Sequence, residues 1–191
     1  MRVRRLLAVA GVTALLVAAP GGAREGEAQE RTGIRVRIVG APSVGREAPQ
    51  VEAPYVTRGG PGPADQPFRL SAELGRGVVI LIGAEDEFLR ELGARAGAQM
   101  PGIQVAVLVR EDVARAAEHA AALDTPFKLL ADPGGEIHRS FGGRDAGGRG
   151  GATAWVVNSL GTIEAKVEGM VAGDVSRMAR LETMARAAAG R

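Results

Sequence analysis

Glu85, Asp86 and Glu87 stand just after an apolar run, Val78-Val79-Ile80-Leu81-Ile82, and a Gly-Ala pair. Adjacent carboxylates suit acid/base work or a cation. Three consecutive residues, however, cannot all face one ion. Acids at that place also serve as helix caps and offset the macrodipole, and this is the reading the spacing favours. His119 and His138 are the only histidines, and neither has another His or Cys at a metal-ligand spacing. Both read as surface residues, and no metal site or cofactor is indicated. Arg144 and Arg149 lie in a glycine-rich stretch, Gly142–Gly151, able in principle to hold a phosphate or carboxylate. That stretch follows a short helix instead of joining a buried strand to a helix N-terminus, so it reads as a loop at the edge of a site. No Gly-x-Ser-x-Gly elbow is present. Cysteine is absent altogether, which excludes thiol nucleophiles and disulfide exchange.

The elements that must position these groups alternate between two periods. Val78–Ile82 is a β-branched run suited to a strand buried on both faces. Behind it Phe88, Leu89 and Leu92 share one helical face, and Pro101-Gly102 ends that helix. Ile103–Val109 reads as a second buried strand, Glu111–Leu123 as an Ala-rich helix, and Phe127–Ala131 as a third strand. Asp132-Pro133-Gly134-Gly135 then turns into a short helix over Glu136–Phe141. Thr153–Asn158 and Thr162–Val167 flank the turn Ser159-Leu160-Gly161 as an antiparallel pair, with Trp155 as core. A last helix over Asp174–Ala189 carries an apolar stripe of Val175, Met178, Leu181 and Met184 or Ala185. Upstream, Ile34, Val36 and Ile38 alternate as in a short strand. The six prolines from Ala41 to Pro67 imply extended chain and turns.

The whole chain, 191 residues with 46% apolar and 24% charged, fits one α/β domain with an appendage. Net charge is +2 and aromatics are 3%, so neither a basic footprint nor a base-stacking surface for nucleic acid is present. Arg2, Arg4 and Arg5 precede the apolar run Leu6–Ala19, and small residues follow from Pro20 to Ala23. This is the pattern of a signal peptide over 1–23, short for a membrane span. Export to the periplasm or the extracellular space follows as an expectation, with membrane attachment only if the segment stays uncleaved. Residues 24–43 read as a spacer with a possible short strand, and 44–191 as the domain.

The motifs, taken in order, resemble the peroxiredoxins and related redoxins. Val44-Gly45-Arg46-Glu47-Ala48-Pro49 is similar to their opening "VG..AP", and Phe68-Arg69-Leu70-Ser71 through Val79 to their approach to the central strand. Glu91-Leu92 is similar to the "EL" after the active-site turn. Pro126-Phe127-Lys128-Leu129-Leu130-Ala131-Asp132-Pro133-Gly134-Gly135 with Phe141-Gly142 resembles "PF.LL.DP.G" and "YG". Trp155-Val156-Val157-Asn158 with Gly161-Thr162-Ile163 resembles "F.VD..G.I". The resemblance implies a thioredoxin-like three-layer α/β/α sandwich with a central mixed sheet. It also implies a thiol peroxidase site, and there the residues depart. The place of the family's cysteine, three residues before the "EL" glutamate, is held by Phe88. The place of its Thr or Ser is held by Glu85. Its arginine, like the cis-proline of thioredoxins, falls near Ala152, and Arg149 lies three residues away.

A cysteine-free redoxin domain that binds a protein or ligand is the reading this supports, with Glu85, Asp86, Glu87, Phe88 and Arg149 as its candidate surface. The alternatives are an enzyme with a non-thiol site using Glu85 or Asp86 and Arg149, and an inert subunit of a redox assembly. A protein partner or a second copy of the chain is the expected kind of partner.

Overall fold

In a computed structural model, residues 33–37, 42–142 and 150–190 are described. The signal-peptide reading over 1–23, Ile38, and most of the Gly142–Gly151 loop, with Arg144 and Arg149, lie outside them. Ten strands and four helices follow in chain order: β1 Arg35–Arg37, β2 Gln50–Ala53, β3 Tyr55–Thr57, β4 Gly60–Pro61, β5 Phe68–Arg69, β6 Val78–Ile82, α1 Asp86–Gln99, β7 Gln104–Val109, α2 Val113–Leu123, β8 Lys128–Ala131, α3 Glu136–Ser140, β9 Ala152–Val157, β10 Ile163–Met170 and α4 Val175–Ala189. A single 3-10 turn, Leu70–Glu73, leads from β5 toward β6.

Seven strands form one mixed sheet in the order β10-β9-β6-β7-β8-β3-β4. β6, β7 and β8 run parallel, while β9 joins β6 antiparallel and pairs with β10 as a hairpin. All five residues of β6 are buried, because this strand lies inside the sheet and both its faces are covered. Alternation along it divides the core. Val79 and Leu81 face α1, α2 and α4, packing with Leu89, Leu92, Ala116, Ala120, Met178 and Leu181. Val78, Ile80 and Ile82 face the other way, toward Ile137 and Phe141 of the α3 segment. A three-stranded sheet of order β1-β2-β5 covers the same face with Val51, Ala53 and Phe68. The layers are thus three helices, the mixed sheet, and a third layer that is mostly small sheet with one short helix.

The proline-rich span from Ala41 to Pro67, read only as extended chain and turns, contributes β2, β3 and β4. The prolines fall between these short pieces or, as Pro61, in the edge strand β4, where no ladder hydrogen bond is lost. One residue of the predicted α4 stripe is misplaced. Val175 is 60% exposed, whereas Met178, Leu181 and Ala185 are buried. Val175 opens the helix before it has docked on the sheet, and Asp174 caps it with a carboxylate that accepts from the Arg177 N–H.

Candidate functional site

The end of β6 and the start of β9 lie side by side, since Ile82 pairs with Thr153. Gly83, at a φ of 66°, supplies the left-handed turn that leaves the strand, and Ala84 carries the chain to the N-cap residue Glu85. This is the strand end at which α/β sheets place their ligands. Glu85, Asp86, Glu87, Phe88 and Ala152 therefore do gather at one end of the sheet, but they divide between surface and core.

Glu85, Asp86 and Glu87 are exposed. Glu85 occupies the N-cap position with extended backbone, yet its side chain makes no capping hydrogen bond. The capping role read for it is therefore not played, since a glutamate side chain is one carbon longer than those that favour this position. Asp86 and Glu87 sit in the first turn, where their charge complements the helix dipole. Phe88 is only 1% exposed and belongs to the core cluster between α1 and the sheet. Ala152, also 1% exposed, belongs to the same cluster. Where the family resemblance locates a nucleophile and a charged helper, the protein has two buried apolar side chains. The residue at the start of β9 that would correspond to a cis-proline is an alanine, and no cis peptide bond occurs among the described residues. Trp155 is core, as read, with Lys166 Nζ 4.8 Å above its ring.

Gly151, from the glycine-rich stretch, has a structural explanation. Its φ is 71°, and a Cβ built on it would lie 2.6 Å from the carbonyl oxygen of Met170. A side chain there would force β9 and β10 apart.

Both histidines have partners that the sequence order conceals. His119, half-buried on α2, has Nε2 at 2.9 Å from Asp86 Oδ1 and Nδ1 at 3.3 Å from Glu111 Oε2. Asp86 also approaches Arg90 at 3.7 Å. A shallow cleft beside the α1 N-terminus is lined by Asp86, Glu111, Arg115, Glu118, His119 and Ala122. Residues 111, 115, 118, 119 and 122 recur at helical spacing, which was a usable signal for that face. Asp86 comes to it from another helix, and no spacing shows that.

His138 corrects the surface reading outright. It is 3% exposed, its Nδ1 meets Asp132 Oδ2 at 2.6 Å, and its backbone N–H donates to the same oxygen at 2.9 Å. Asp132 is fully buried. Burial pushes its carboxyl upward, but the ring and backbone hydrogen bonds from His138 outweigh this and hold it below its ordinary value. The pair ties the end of β8 to α3. It is distinct from the α1 rim, and Ser140, the nearest hydroxyl in sequence, donates to the Ile137 carbonyl instead. No group of His, Asp and Glu able to hold a metal ion is found among the described residues.

No family model matches the chain, and no curated protein does either. Its fold, by contrast, is similar to solved structures. The mitochondrial 2-Cys peroxiredoxin of Plasmodium falciparum gives a TM-score of 0.58 at 11% identity, covering 74% of this chain and 92% of that one. AhpC of Enterococcus faecalis gives 0.60 at 16%, covering 78% and 96%. Peroxidoxin BcpB of Mycobacterium tuberculosis gives 0.56 at 19%, covering 76% and 97%. At these identities the likeness is one of fold, and it agrees with the order of motifs in the sequence. The chain carries a peroxiredoxin-like thioredoxin fold that contains no cysteine.

Proposed function

We propose that this protein is an exported, cysteine-free redoxin-fold domain that acts by binding a protein or ligand at the α1 end of its sheet. The observation that carries the reading is the place of Phe88. Peroxide reduction needs a thiolate at a helix N-terminus, lowered in pKa by nearby positive charge. Here the corresponding side chain is a buried ring, and the groups around the turn are Glu85, Asp86 and Glu87. Such a rim opposes a thiolate and suits a partner carrying positive charge. The apolar run Leu6–Ala19 behind three arginines supports export.

The experiment is co-purification from the cell that makes the protein, comparing the wild type with a Glu85→Lys/Glu87→Lys variant. Binding through the rim predicts a partner that is retained by the wild type and lost from the variant. A partner indifferent to both substitutions, or no partner at all, contradicts it.

A further inference from the structure

We propose that His119 is a proton-dependent clasp that controls how much negative charge the rim beside the α1 N-terminus presents. This regulation rests on the binding role proposed above. Its basis is a count of protons. A neutral imidazole carries one N–H, and an imidazolium carries two. Both ring nitrogens of His119 face carboxylate oxygens, Asp86 at 2.9 Å and Glu111 at 3.3 Å. The two contacts are both hydrogen bonds only when the ring is protonated.

Loss of the proton then has a defined direction. The remaining N–H stays on Nε2, where the contact with Asp86 is shorter, and α1 remains joined to α2. Nδ1 is left with a lone pair facing Glu111 Oε2. Two acceptors repel, so the Glu111 carboxylate turns away into the open cleft. Glu111 is free to move, being one-third exposed at its side chain. The cleft becomes more negative by one charge and gains an unbonded carboxylate.

The other groups facing the ring do not share this response. From α1 come Asp86 and Arg90, the latter 3.7 Å from the second Asp86 oxygen. From α2 and its approach come Glu111, Arg115 and Glu118, with Ala122 closing the cleft. Histidine alone among these residue types ordinarily changes charge between about pH 5 and 8. A metal is not an alternative occupant, because the two carboxylates lie at opposite ring nitrogens and one ion cannot reach all three groups.

The test is nuclear magnetic resonance of the full chain, labelled with nitrogen-15, across that pH interval. At the acid end both ring nitrogens of His119 are expected to carry protons. At the alkaline end Nε2 alone keeps one, and the backbone amides of Glu111 to Val113 shift in step with the ring. In His119→Gln those amide shifts disappear. An Nδ1–H ring at the alkaline end, amides that stay fixed, or shifts that persist in His119→Gln would each overturn the clasp. The wild-type ring alone decides the tautomer, so the test survives a variant that folds poorly. These signals require no partner, so their failure leaves the binding role standing, and failed co-purification leaves the clasp standing.

Discussion

Nδ1 of His138 lies 2.6 Å from Oδ2 of Asp132 where neither residue reaches solvent appreciably. A buried pair of this kind is costly to break from one side, because the remaining partner keeps its desolvation penalty. Asp132→Ala is expected to lower stability by about 3 kcal/mol, read as a shift in the urea midpoint at neutral pH.

The same pair sets an acid limb. The Asp132 carboxyl is held below its ordinary value of 3.8 in the folded protein, so the folded state binds fewer protons there than the unfolded chain. Its contribution is present above that ordinary value and is lost as pH falls through the folded one. The stability difference between wild type and Asp132→Asn is therefore expected to shrink as pH is lowered from about 5 through the folded value. Urea titrations along that series check it, and a difference that persists unchanged at the lowest pH contradicts it.

A sulfur placed at the Phe88 position is not expected to confer peroxide chemistry. Phe88→Cys leaves a cavity in the cluster under α1 and is expected to cost about 3 kcal/mol. The new thiol lies in apolar surroundings beside acids, both of which raise a thiol pKa. Slow reaction of the native variant with a thiol reagent, together with no gain in peroxide consumption, is the expected result.

Glu85 and Asp112 hold equivalent cap positions with opposite behaviour. The Asp112 side chain accepts from the Arg115 N–H at 2.9 Å, while the Glu85 side chain accepts nothing from its helix. Asp112→Ala should cost about 1 kcal/mol, and Glu85→Ser should gain a few tenths up to about 1 kcal/mol. Thermal unfolding of both variants measures this. A stabilised Glu85→Ser that loses partner binding would mark Glu85 as a residue kept for the surface it makes.

Gly151→Ala should destabilise by about 1–3 kcal/mol, since a side chain there is both left-handed and in collision with the Met170 carbonyl. Denaturant midpoints of this variant and of Gly45→Ala separate the two causes. Gly45 shares the positive φ but has open space around it.

What could be read from the sequence follows from how local its cause was. Val78–Ile82 announces a doubly covered strand by composition alone, and the Ser159-Leu160-Gly161 turn announces a hairpin. The β2, β3 and β4 strands stayed hidden because they are two to four residues long, and their pairing is fixed by distant partners such as Leu129 and Leu130 of β8. Phe88 could be placed at the family's cysteine position by counting from Glu91. That it is core, instead of a surface ring at a binding site, needed the sheet beneath it. The partners of both histidines stayed hidden, because Asp86 is 33 positions from His119 and the contact that buries His138 depends on the Asp-Pro-Gly-Gly turn folding back on α3.

The central claim is that a peroxiredoxin-like scaffold persists here without its reaction. Hydrogen peroxide consumption by the purified protein, in the presence of a dithiol reductant, tests it most directly. Consumption equal to that of a heat-denatured control is the predicted result. Consumption above the control, proportional to protein concentration, would contradict the account.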